Sequence, residues 1–170
     1  MTERCAECGY VYDVAASALS SRLPGVAARY TAALDGHADA VVRTRPDPTT
    51  WSALEYTCHL RDVLFVQRDR LYIALAADDA TWPPMYRDAR PTLARYNQQD
   101  PAVVLNQLAV AGQLAADAFS DLDAAQLART FTYNYPAPAT RDVLWLGRHT
   151  LHEAEHHLAD VHRVLSRVDG

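Results

Sequence analysis

The segment His149-Thr-Leu-His152-Glu-Ala-Glu-His156-His157, with a lone His59 far upstream, holds the residue types in this chain best suited to chemistry. On a helix, His152 and His156 stand one turn apart on one face. Two neutral imidazoles so placed can bind one divalent cation, and a third from another helix would complete a site with an open coordination position. Open positions go with catalysis, so the expected metal set is His59, His152 and His156. A lone histidine is more often a solvated or hydrogen-bonded residue than a ligand. The i,i+4 pair, and the apolar stripe beside His59, weigh the reading toward a metal.

His149 lies on the same face as His152 and competes as a ligand or as a partner to one. His157 is turned about 100° from His156, so both do not easily reach one ion. Glu153 and Glu155 read as surface groups or as carboxylates that orient an imidazole, as do Asp62, near His59, and Asp160, one turn past His156. His152-Glu153-Ala-Glu-His156 also matches the His-Glu-x-x-His pattern of zinc peptidases, with Glu153 as the base. The nearest downstream imidazole, His162, is six residues on along the same helix, so the third ligand is expected from upstream.

Cys5-x-x-Cys8-Gly is half of a zinc knuckle, and no second Cys-x-x-Cys pair exists to complete four soft ligands. The two thiols are expected to pack as small apolar groups; a labile disulfide, or a metal bound with help from a histidine or a partner chain, are the alternatives. Cys58 adjoins His59 but points elsewhere on the helix and reads as core.

The elements that must position these residues are helical. The chain has 170 residues with 49% hydrophobic content, enough for a single domain, 1–170, with its own core and no disulfide support. Residues 1–13 form a short extension. The net charge of −5, with 16 basic residues that are all Arg, argues against nucleic-acid binding. The absence of 18 consecutive apolar residues argues against a membrane span. Three cysteines and a start without a signal-like apolar stretch imply a reduced, cytoplasmic protein.

A first helix is expected over about 15–43, broken near Pro24-Gly25 and again at Gly36. Ser52-x-x-Glu55 is a capping box, flanked by Trp51 and Tyr56 as a staple, and opens a second helix to about residue 77 with a Leu60, Leu64, Leu71, Leu75 stripe. Residues 78–99 make a long irregular connection. Asp100-Pro101 opens a third helix to about Phe119. A short helical turn over 121–127 and an extended aromatic stretch over 130–136 precede a fourth helix, about 139–167, with Leu144, Leu151, Leu158 and Leu165 at seven-residue spacing. The result is an all-α four-helix bundle with a long crossover between helices 2 and 3.

Trp51-Ser-Ala-Leu-Glu-Tyr-Thr-Cys-His59-Leu-Arg-Asp62, followed by His152-x-x-x-His156-His157-x-x-Asp160, resembles the DinB-like superfamily, which includes mycothiol-dependent maleylpyruvate isomerases and bacillithiol transferases. The resemblance spans about residues 15–168 and leaves the Cys5-x-x-Cys8 start unexplained. It implies a bundle with a three-histidine site, carried over as His59, His152 and His156, for zinc above all, or nickel or iron. It also implies use of a low-molecular-weight thiol on a small electrophile, and favours a homodimer.

The expected function is therefore a metal-dependent thiol transferase or thiol-dependent isomerase, in which a coordinated thiol is deprotonated and attacks the electrophile. A metal-dependent hydrolase is the alternative, and a non-enzymatic metal- or ligand-binding stress protein the third reading. Asp62 and Glu153 are the candidate catalytic carboxylates. Arg141, Arg148, His149 and Arg163 are candidates to hold an acidic substrate or thiol, since Arg matches carboxylates with a planar fork. Trp82, Tyr86, Tyr133 and Tyr135 are candidates to wall the pocket.

Overall fold

The structure, a computed structural model, describes residues 3–169, so residues 1 and 2 of the expected extension and the final Gly170 lie outside the described residues. The first expected helix is three pieces: α1 (Ser17–Arg22), α2 (Val26–Leu34) and α3 (Asp39–Arg43). A 3-10 turn through Leu23-Pro24-Gly25 separates α1 from α2, and Gly36, at φ +79°, lies in the turn after α2. Both breaks fall where proline and a left-handed glycine demand them.

The second long helix, α4 (Ala53–Ala76), starts at Ser52, whose Oγ accepts from the Glu55 backbone N–H at 3.1 Å while the Glu55 carboxylate accepts from the Ser52 N–H at 2.9 Å. Glu55 is buried and receives both arms of Arg45, at 2.5 and 2.7 Å. Trp51 and Tyr56 meet with ring centroids 5.3 Å apart, as a staple requires. The long connection that follows carries a single-turn helix, α5 (Arg90–Leu93), and a 3-10 turn over Tyr96–Gln98.

Helix α6 (Pro101–Phe119) is capped by Asp100. By length and composition it is apolar enough to cross a membrane, contrary to the expectation from run length; in this fold it is a bundle helix packed on α1, α2 and α4. After the one-turn α7 (Ala124–Leu127), β1 (Thr130–Tyr133) and β2 (Ala139–Asp142) pair antiparallel, Phe131 opposite Arg141. The expected start of the last helix at 139 is therefore a strand, and α8 (Val143–Val168) begins only after Asp142, whose carboxylate caps it by accepting from the Trp145 N–H at 2.7 Å.

The α1–α2 pair, α4, α6 and α8 form the four-helix bundle, with the crossover between α4 and α6. Its core holds Leu19, Leu23 and Tyr30, then Leu60, Leu64 and Leu71 from α4, Leu108 from α6, and Leu146, Leu151 and Leu158 from α8. Helix α4 packs on both α6 and α8, and the α4–α8 contact brings His59 to the C-terminal histidines. Residues 3–14 fold back as a turn along α8: Tyr10 and Tyr12 each lie 5.4 Å, centroid to centroid, from the His152 ring.

Candidate metal centre

Helix α8 presents two polar strips, and they hold different sets. His59, Glu153 and His157 each offer a ligand atom, all within 4.8 Å of one another. A second set joins His152 and His156 to Cys5 and Cys8. The expected triad of His59, His152 and His156 is thus divided. The cause is helical rotation: residue 157 is turned about 100° from 156, and residue 153 about 100° from 152. The strip facing α4 is the one with Glu153 and His157.

The environment of the first set suits a cation. His157 Nε2 lies 3.5 Å from Glu153 Oε2, and the His157 ring stands edge-on to His59, centroids 4.9 Å apart. Ligands on one tetrahedral zinc stand about 3.4 Å apart, given metal–ligand distances of about 2.0–2.2 Å. The other nitrogen of His157, Nδ1, is 2.8 Å from Asp160 Oδ2; an ionised carboxylate only accepts, so Nδ1 donates and Nε2 is the one free to bind. His59 Nδ1 is buried with no hydrogen-bond partner among the described residues. A polar atom so stranded costs about 1–3 kcal/mol unless something else satisfies it. The residues present therefore fit a divalent ion.

The electrostatics agree. Burial, with the His157 ring beside it, takes His59 down to about 3, so its imidazole is neutral at ordinary pH. Burial also pulls on His157, but the hydrogen bond to Asp160 and the Glu153 carboxylate beside it outweigh it and push the ring up to about 9. Burial would raise the Glu153 carboxyl, yet the His152 and His157 rings beside it and the field of His149 hold it well below its ordinary value. A cation at this position must displace the proton from His157 Nε2, and the two carboxylates beside the ring favour positive charge there in either form.

Glu153 is the hub of α8. Its Oε2 faces His157, while Oε1 lies 3.5 Å from His149 Nε2 and 3.6 Å from His152 Nδ1. It therefore lies within the cluster, against three imidazoles of its own helix. His149, a candidate substrate contact, is held between two tyrosines: Tyr12 Oη meets its Nδ1 at 3.0 Å and Tyr133 Oη its Nε2 at 3.1 Å. That imidazole ties the N-terminal turn and the hairpin to α8, and burial takes it down to about 4.

Asp62, the other candidate catalytic carboxylate, is committed elsewhere. It accepts from Tyr96 Oη at 2.6 Å, Arg61 Nε at 2.8 Å and Arg90 Nη1 at 3.2 Å, which fasten the crossover to α4. Arg148 donates to the Val14 carbonyl at 2.8 Å and holds the N-terminal segment. Arg141 pairs with Glu3 at 3.3 Å and lies over the Trp145 ring. Trp82 and Tyr133 are buried in packing against Phe131. Tyr86 and Tyr135 are exposed on the connections. Arg163 pairs with Asp160, the orienter of His157, and its side chain is 56% exposed.

His157 and Glu153 are the ligand candidates that sequence reasoning set aside. Their i,i+4 spacing is the same as that of His152 and His156, and the signal that could have separated the pairs is which one faces the helix carrying His59.

The sequence profile of the DinB superfamily matches residues 23–161, most of the chain, and the protein belongs to that superfamily. Among solved structures it is similar to YfiT from Bacillus subtilis, described as "a probable metal-dependent hydrolase with an unusual four-helix bundle topology". The TM-score is 0.80 at 20% identity, covering 91% of this chain and 87% of YfiT, a likeness of fold. No curated protein matches the chain significantly.

Proposed function

We propose that this protein is a metal-dependent hydrolase of small molecules, with His59, Glu153 and His157 holding the ion. The observation that carries the reading is the convergence of these three donors from α4 and α8, with His59 Nδ1 left buried and unpartnered among the described residues. Two imidazoles and one carboxylate are a catalytic donor set of the kind that leaves a fourth position for water or substrate. When bound, the ion supplies Lewis acidity, activating water and polarising a carbonyl or phosphoryl oxygen.

The chain's own residues do the rest. Asp160 fixes the His157 ring through Nδ1. His149 and His152 flank Glu153 Oε1 and aim its Oε2 toward His157. Trp51 and Tyr56 lie against His59 and His157, centroids 5.0 and 5.5 Å away, and exclude water from the ligand side. Arg163 offers positive charge at the edge for an anionic substrate or a developing oxyanion. Superfamily membership and the likeness to YfiT support a metal-dependent enzyme.

Thiol transfer is the second reading, favoured by the half-exposed Arg163, which could grip the carboxylate of an acidic low-molecular-weight thiol. The deciding experiment loads the protein with zinc, nickel or iron(II). It then compares ester, amide and lactone hydrolysis with thiol addition to epoxide and maleyl-type acceptors. Hydrolysis without added thiol, lost in His59→Ala and His157→Ala, is the expected result. Turnover only with a thiol moves the assignment to transferase; full activity in both variants overturns the site.

A further inference from the structure

The second cluster on α8 is absorbed by none of this chemistry. We propose that Cys5, Cys8, His152 and His156 form a closed Cys2His2 site for zinc or a similar thiophilic divalent cation, clamping the N-terminal turn onto α8. The set shares no residue with His59, Glu153 and His157, and it stands whether or not that centre is catalytic.

Four observations lead there. First, the four ligand atoms lie within 4.8 Å of one another although the two pairs are more than a hundred residues apart in sequence, and Cys5 Sγ stands 3.9 Å from His156 Nδ1. With Zn–S about 2.3 Å and Zn–N about 2.0–2.1 Å, tetrahedral neighbours stand about 3.3–3.8 Å apart, so the widest pairs need to close by no more than about 1.5 Å to surround an ion. The spacings Cys-x-x-Cys and His-x-x-x-His both fall in the range of structural zinc sites.

Second, both ring nitrogens of His152 are buried without a hydrogen-bond partner among the described residues, and the residue is only 9% exposed. Nearly all buried polar atoms are satisfied. An imidazole stranded beside two thiols is explained by a ligand bound there.

Third, the turn carrying the cysteines is shaped to present both sulfurs. The Cys5 N–H donates to the Tyr10 carbonyl at 2.9 Å, and the Gly9 N–H to the Cys5 carbonyl at 3.0 Å. Gly9, next to Cys8, sits at φ +74°, where a side chain would be strained. Neither cysteine is in a disulfide.

Fourth, carboxylates stand behind both imidazoles. With Nδ1 of His156 toward Cys5, its Nε2 faces Glu7 at 3.4 Å and Asp160 at 3.8 Å. His152 Nδ1 faces Glu153 Oε1 at 3.6 Å. Carboxylates in this position fix the tautomer and orientation of metal-bound histidines. Four protein ligands leave no place for substrate, so this ion is structural.

The test uses the full chain, kept reduced and loaded with cobalt(II) or zinc. Cobalt-loaded wild type is expected to show thiolate-to-cobalt charge transfer in the near ultraviolet with intense tetrahedral visible bands. The Cys5→Ser/Cys8→Ser variant should lose the charge-transfer band and one of two bound zinc equivalents. His59→Ala should keep that band while losing the other equivalent. His59→Ala therefore reports on the catalytic reading, and the cysteine variant on this one. If the cysteine variant does not fold, thiol counting on wild type serves instead: two thiols protected from Ellman's reagent by zinc and released by a chelator. No charge-transfer band in cobalt-loaded wild type, a full zinc complement in a folded cysteine variant, or two thiols equally reactive with and without zinc would each overturn the site.

Discussion

Glu153 Oε2 and His157 Nε2 stand 3.5 Å apart on one face of α8, one turn from each other, and His59 from α4 closes the set. The separation is long for a hydrogen bond and close to the edge of a zinc tetrahedron, about 3.4 Å. Behind this pair, Asp160 accepts from His157 Nδ1 at 2.8 Å and is itself held by Arg163. The chain Arg163–Asp160–His157 thus passes orientation to the ring, with the exposed Arg163 at its outer end.

Asp160→Asn should test that relay. An amide in place of the carboxylate weakens the hydrogen bond from Nδ1 and leaves His157 less basic and less firmly aimed. Metal affinity should fall about 10–100-fold, the usual effect of removing a carboxylate behind a ligating imidazole. Competition with a chromophoric chelator measures it; unchanged affinity with the fold intact would remove Asp160 from this role.

Cys58 stands beside His59 in sequence but is fully buried, its thiol facing the Tyr96 carbonyl and Gln99 Oε1, each at 3.8 Å. Burial pushes the thiol up to about 12, so the thiolate is scarce at neutral pH. In Cys5→Ser/Cys8→Ser, where it is the only thiol left, Ellman's reagent should react slowly with native protein and at once in denaturant. Rapid stoichiometric reaction of the native form would make Cys58 a candidate nucleophile.

The bundle was legible because its signals are local. Ser52 and Glu55 cap α4, Asp100-Pro101 opens α6, and leucine periodicity marks α4 and α8. The site was legible as a set of residue types but not as an assignment. His152-His156 and Glu153-His157 are both i,i+4 pairs, and only the packing of α8 on α4 decides which meets His59. With His152 and His156 given to His59, the Cys5-x-x-Cys8 half-knuckle was left without the partner pair proposed for it, which lies more than 140 residues away. The ties of Asp62 were hidden for a similar reason: its partners Arg90 and Tyr96 sit in the irregular crossover, where no periodicity announces a contact.

Gly147 marks where α8 comes nearest to α1 and α6. A Cβ there would overlap the Leu19 Cδ1 methyl and meet Phe119 Cε1 at 3.2 Å. Leu19 is fully buried and Phe119 nearly so, so neither yields easily. Gly147→Ala gains about 1 kcal/mol in helix propensity and loses about 1–3 kcal/mol to overpacking. Urea unfolding should show a net loss of up to about 2 kcal/mol; a more stable variant would mean that the contact relaxes freely.

Asp47 ties the loop before α4 to the end of α8. Its carboxylate accepts from the hydroxyls of Thr49 and Thr50 at 2.8 and 2.9 Å, from their backbone amides at 3.0 and 2.9 Å, and from Arg167 at 3.0 Å. The hydroxyls of Thr49 and Thr50, then the Thr49 amide and Arg167, outweigh the slight cost of burial and hold the carboxyl below the usual carboxylate range. A folded-state pKa below the unfolded value of about 3.9 means that the unfolded chain binds the extra proton in acid. The stabilisation is fully present above about pH 4 and disappears as pH falls through the folded value. Asp47→Asn keeps one acceptor oxygen but turns an amide toward the Thr50 hydroxyl and Arg167. Its melting temperature should lie below that of wild type near neutrality, and the gap should narrow steadily below about pH 4. A gap that stays constant from neutrality into that acid range would show that the charge on Asp47 contributes nothing, and that its hydrogen bonds act as those of a neutral cap.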